Sequence, residues 1–195
     1  MNGKKMLLPP AAIAAVLLLL AAEGCLGGGN DIKERVEKAV GLITSSQPLL
    51  EDLLELDERF DYLGTRYSEV EETIAEGKSL VEMTLIDVDE LESRYAQARD
   101  LLRQVLEAED VGKYAEYARL VLEAVDVEME AFSRNRQLLA TVSDMLDVLP
   151  LAENTEQLSY YVDEIERLTG EISGLLQQGS RAAKEADEYW KQAGL

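Results

Sequence analysis

From Tyr67 to Val105, water-avoiding or small side chains recur at intervals of three and four: Tyr67, Val70, Ile74, Gly77, Val81, Thr84, Val88, Leu91, Tyr95, Ala98, Leu102 and Val105. A helix turns once every 3.6 residues, so this spacing draws a single stripe down one face. A strand would need alternation by twos. Held over so many turns, the stripe commits the chain to long helices that bury it against neighbours. Leu80, Leu85, Leu101 and Leu106 widen it beyond a two-stranded seam, which predicts the core of a bundle.

The flanking segments read the same way. Asp31 and Glu34 have capping-box spacing, with Val36, Ala39, Ile43, Leu50, Leu53 and Phe60 following as apolar positions. Pro48 predicts a kink or a restart, with Ser46 as the cap. A break is expected at Glu109-Asp110-Val111-Gly112, then a helix from about Val111 to Leu149 that Pro150 ends. A last helix, introduced by Asn154 and Gln157, carries Leu158, Tyr161, Ile165, Leu168, Ile172, Leu175, Gly179, Ala182, Ala186 and Tyr189. Leu63-Gly64-Thr65 resembles a glycine-capped helix end. The expected fold is therefore all-α, an elongated antiparallel up-down bundle of four long helices. The alternative has three, with one continuous helix over 48–108, because the apolar stripe passes Gly64 without a phase slip. Residues 31–192 form the bundle domain in either case. Pairs at i, i+4 (Glu55–Arg59, Glu90–Arg94, Glu130–Arg134 and Asp163–Arg167) mark exposed faces. Between Phe132 and Leu139 the apolar pattern falters at Arg134-Asn135-Arg136, which predicts a shift of register with both arginine heads in solvent.

The first thirty residues belong to a different design. Lys4 and Lys5 precede an uncharged stretch from Leu7 to Ala22, and Glu23-Gly24-Cys25-Leu26 and Gly27-Gly28-Gly29 follow. The uncharged stretch would span about 24 Å as a helix, short of a hydrocarbon core of roughly 30 Å. A basic head, a short apolar run and small residues are the parts of a secretion signal. Ala22, Gly24 and Cys25 resemble the lipobox of prokaryotic lipoproteins, and the glycines after Cys25 resemble the tether of archaeal cell-surface lipoproteins. Glu23 departs from the small uncharged residue usual there. The resemblance implies that residues 1–24 are a cleaved signal peptide, that Cys25 is lipidated, and that residues 25–30 are a flexible tether. An uncleaved signal anchor is the other reading. Both place the bundle on the extracytoplasmic face of a cell membrane.

The composition bears on chemistry by what it lacks. There is no His, and there is a single Cys. The usual general base, the commonest metal ligand and any intrachain disulfide are thereby absent. Neither a phosphate-binding glycine loop nor a calcium-binding loop occurs. The acidic runs Asp87-Asp89-Glu90-Glu92 and Glu107-Glu109-Asp110 read as solvated helix surface. Net charge is −20, so nucleic acid is not an expected partner. No enzyme activity, cofactor or metal is expected.

The aromatics concentrate toward the bundle ends. Tyr114, Tyr117, Tyr189, Trp190 and Tyr95 fall toward the end where the tether enters. Phe60, Tyr62, Tyr67, Tyr160 and Tyr161 fall toward the far end, leaving Phe132 between. Tyr62, Tyr67, Tyr160 and Tyr161 are thus the candidate docking tip. The expected function is a lipid-anchored, non-catalytic interaction or scaffold module, with the membrane and an unidentified protein as partners. The alternative is a ligand-sensing or transporter-associated binding lipoprotein with its site between the helices. Oligomeric state is left open, since long heptads associate between chains as readily as within one.

Overall fold

A computed structural model describes residues 29–56, 59–60, 70–151 and 155–195. Among the described residues the α-helices with defined bounds are, in order, α1 (Gly29–Ser45), α2 (Gln47–Leu54), α3 (Val70–Glu107), α4 (Tyr114–Val148) and α5 (Thr155–Ala193). A 3-10 turn at Leu149–Leu151 closes α4, where Pro150 cannot continue the ladder. No strand occurs among the described residues. Cys25, Tyr62, Tyr67, the Gly64 turn and the Asn154–Gln157 box all lie outside or at the margin of what is described.

The α3 stripe is buried throughout its described length from Gly77 on: Gly77, Val81, Thr84, Val88, Leu91, Tyr95, Ala98, Leu102 and Val105 all lie inside. The reason is that α3 is covered on both sides. Arg35 and Ser45 of α1 meet Gln104 and Arg94 of α3, so α1 runs antiparallel to α3. Lys78 and Arg136 bind Asp147 and Asp89, so α4 runs antiparallel to α3 in turn. Arg134 reaches Glu171, and Lys113 reaches the last carbonyls of α5, so α5 is antiparallel to α4. The helices therefore alternate up and down, with α1 and α2 forming one kinked arm. The circuit is uneven: α3 and α4 each pack against two neighbours, whereas α1 and α5 scarcely pack on each other.

The kink falls where Pro48 placed it, but by other means than a cap. Ser46 is fully buried and makes no capping bond to α2. Its hydroxyl instead donates back to the Leu42 carbonyl at 2.8 Å, and Arg94 donates to the Ser45 carbonyl at 2.6 Å. The open end of α1 is thus closed by a guanidinium from α3. Asp31 likewise is no cap: it sits inside α1, which starts at Gly29, and accepts from Arg35. The α3–α4 turn puts Asp110 at φ 56° and Gly112 at φ 54°, and α4 begins at Tyr114, three residues later than the pattern suggested.

The expected shift at Arg134-Asn135-Arg136 does not happen. Asn135 occupies the buried position between Phe132 and Leu139, and its amide donates to the Ala131 carbonyl at 3.2 Å. The register continues through it. Both arginines reach outward, as expected, yet each spans to a neighbour: Arg136 to Asp89 and Glu92 on α3, Arg134 to Glu171 on α5. Three of the four acid-before-base pairs form, while Arg167 turns to Glu164 and Glu171. Such exposed pairs each contribute only about 0–1 kcal/mol.

Glycines on α5 differ in what surrounds them. A Cβ at Gly179 would lie 2.9 Å from Cγ and 3.2 Å from Oε1 of Glu128, whereas one at Gly174 would meet nothing within 4 Å. Gly174→Ala should therefore gain roughly 0.5–1 kcal/mol from helix propensity. Gly179→Ala should lose that gain and more. Thermal or urea unfolding of the two variants checks this, and equal stabilisation by both would refute the close approach at Gly179.

Candidate functional site

Three helices bring polar chemistry into the middle of the bundle. Tyr95 of α3, almost wholly buried, packs edge-on against Phe132 of α4 with ring centroids 4.9 Å apart. Sequence placed Tyr95 with the aromatics of the tether end; the antiparallel register puts it beside Phe132 instead. Its hydroxyl lies near enough to the carboxylate of Glu128, one turn before Phe132 on α4, for the two groups to shift each other's titration. Gly179 on α5 leaves the space in which the Glu128 stem lies. The glutamate is only half-buried by surface area, yet protein atoms surround it closely enough for desolvation to dominate its titration. It is the neighbouring low-dielectric volume, more than the residual exposed area, that penalises its charge.

Beside Glu128 a cavity of about 50 Å³ opens between α1, α4 and α5. Val40 and Ile43 form its α1 wall, Tyr117, Val121 and Val125 line it from α4, and Ala183, Ala186 and Asp187 from α5. It occupies the side where α1 and α5 fail to pack closely. Two carboxylates, Glu128 and Asp187, stand in an otherwise apolar wall. Lys191 pairs with Asp187 at 2.5 Å, one turn further along α5.

The titration of these groups follows from their surroundings. Burial pushes the Glu128 carboxyl up, against the Tyr95 hydrogen bond that lowers it. Burial and the Glu128 charge together push Tyr95 far above the ordinary tyrosine range, and burial with the Asp187 charge pushes Tyr117 up to about 12. Both phenols stay neutral at physiological pH. The cluster can donate a hydrogen bond, accept a cation or take a proton. It contains no thiol, imidazole or paired hydroxyl that would make a nucleophile.

Of the residues singled out from sequence, Tyr160 and Tyr161 are described. They lie in the first turns of α5, at the end remote from the start of α1, with ring centroids 5.5 Å apart in an edge-on pair. Tyr160 is 66% exposed and Val162 47%, so the tip does present apolar surface. At the other end Trp190 packs between Tyr114 and Tyr117, at 6.4 and 4.7 Å, and Tyr189 donates to the Lys113 carbonyl. Those rings hold the bundle end together. Asp89 and Glu92 from the acidic run are occupied by Arg136, and no cluster suited to a metal occurs among the described residues.

Sequence reasoning missed Glu128, although a signal exists. Tyr117, Val121, Ala124, Glu128, Ala131 and Asn135 are also spaced by fours and threes. They form a second stripe on α4, which must face two neighbours, and Glu128 interrupts it. Comparison of the chain with family models, with curated proteins and with solved structures gives no match.

The raised pKa of Glu128 has a definite sign for stability. The folded bundle prefers the neutral acid, so the benefit is complete below the unfolded value near 4.5 and disappears as pH rises through the folded value. Glu128→Gln, which keeps an acceptor for Tyr95, should be more stable than the wild type at pH 7 by about 1 kcal/mol, or roughly 2–4 °C. Near pH 4 the two melting temperatures should converge. A wild type as stable as the variant at pH 7 would show that the carboxylate is fully solvated.

Proposed function

We propose that the protein is a lipid-anchored extracytoplasmic module that carries a rigid helical bundle for protein interaction, without catalysis of its own. The observation that carries this reading is the order of parts at the start of the chain. A basic head, a short apolar run, Gly24-Cys25 and a glycine tether lead into α1 at Gly29, with only three residues between Cys25 and the helix. No helix among the described residues is long and apolar enough to cross a membrane.

Geometry supports a use for such an anchor. The start of α1, the end of α3, the start of α4 and the end of α5 share one end, so the tether would hold that end at the lipid. The 38 residues of α3 then carry the opposite tip about 57 Å outward. Exposed Tyr160 and Val162 lie at that tip. An aromatic pair with an apolar neighbour is the kind of surface that anchors protein contacts. A second reading, a ligand-binding bundle, is favoured by the cavity beside Glu128.

Mass spectrometry of the mature protein should find Cys25 as the first residue, carrying lipid, and Cys25→Ser should release the protein from membranes. Recovery of a membrane-bound form that keeps residues 1–24 would rule out the lipid anchor. Pull-down from solubilised membranes should recover a partner with wild type and lose it with Tyr160→Ala. Repeated recovery of the protein alone would count against the interaction role.

A further inference from the structure

The cavity beside Glu128 combines features that select for one kind of occupant. Its volume of about 50 Å³ admits three or four water-sized atoms at roughly 10–15 Å³ each. A buried water needs two to four polar partners. Most of this wall is methyl and methylene from Val40, Ile43, Val121, Val125 and Ala183, which offers water little and an alkyl chain much.

The polar part of the wall is of one sign. Glu128 and Asp187 present carboxylates, and Tyr117 adds an aromatic ring, whose face attracts cations. Asp187 already has Lys191 at 2.5 Å. Glu128 has no such partner: among the described residues the hydroxyl of Tyr95 is the group that favours its charged form, and burial opposes it. A carboxylate facing an apolar cavity with no cation beside it is an incomplete ion pair.

We propose that this cavity is a binding site for a small primary alkylammonium ion, with its nitrogen on the Glu128 carboxylate and its chain among Val40, Ile43 and Val121. The ammonium supplies the charge that the interior lacks, and it offers further donors to the second carboxylate oxygen. A chain of two or three carbons matches the volume. Longer amines would have to leave through the loosely packed α1–α5 side. The site is separate from the tether, so its failure would leave the anchored-module reading untouched, and the reverse also holds.

The test uses the full-length protein in detergent micelles with methyl-labelled Ala, Ile and Val. Titration with n-propylammonium chloride should give saturable shifts at Val40, Ile43 and Ala183, with half-saturation in the low millimolar range, about what four non-hydrogen atoms reach. 1-Propanol, which has the same chain and no charge, should bind at least about tenfold more weakly, and sodium chloride should reproduce none of the pattern. Glu128→Gln should weaken propylammonium about tenfold. Ala183→Leu should remove binding by filling the space. Equal binding of propanol and propylammonium to the wild type would overturn the proposal even if both variants failed to fold. So would shifts that never saturate up to about 100 mM, or undiminished binding by Glu128→Gln.

Discussion

The bundle depends on the burial of the α3 stripe between α1 on one side and α4 on the other. Val88, Leu91, Ala98, Leu102 and Val105 are completely removed from water. At about 25 cal/mol per Å² of apolar surface, each large residue among them contributes on the order of 2 kcal/mol, before the entropy of ordering the chain is set against it. Hydrogen bonds within the helices come with the burial, because a buried backbone group must be paired. Ion pairs on the outside add direction more than stability. Arg136 and Arg134 are instructive: from either side of buried Asn135 they reach α3 and α5, fixing the rotation of α4 between its neighbours.

The same geometry accounts for the site. A helix that packs on two sides needs two stripes, and α4 has them. One stripe runs through Phe132 and Leu139, the other through Val121, Ala124, Glu128 and Ala131. Glu128 lies on the second, and burial would be prohibitive for its carboxyl without compensation. Tyr95 on α3 favours its charged form, Gly179 on α5 yields space for its stem, and the poor packing of α1 on α5 leaves a cavity at its side. Residues from four helices meet there, so the only local trace of the cluster is the acid that interrupts the second α4 stripe.

What was legible in the sequence was whatever depends on period. The α3 stripe, the kink at Pro48, the stop at Pro150 and the outward course of both arginines follow from helix geometry and from the lack of an N–H on proline. What was not legible depends on register between helices. Tyr95 lies two-thirds of the way along α3, so the pairing of α3 with α4 across the turn sets it opposite Phe132 rather than at the tether end. Asp31 and Ser46 look like caps, yet the first is inside a helix and the second bonds backward to Leu42, since a hydroxyl at a buried bend takes the nearest free carbonyl. Asn135 held the register where apolar counting expected a slip, because its amide finds a backbone partner without leaving the interior.

The kinked first arm has a mechanical meaning if the chain is held by its start. Arm α1–α2 rests mainly on α3, and at its bend Arg94 clasps the Ser45 carbonyl. Tension applied through the tether would enter at Gly29 and run along the axis of α1, so it would slide α1 past α3 rather than peel the two apart turn by turn. Sliding strains the whole shared face at once, and the guanidinium clasp sits where that load would be passed to the next helix. A tethered bundle of this kind resists traction best along its length and yields most readily to a sideways pull.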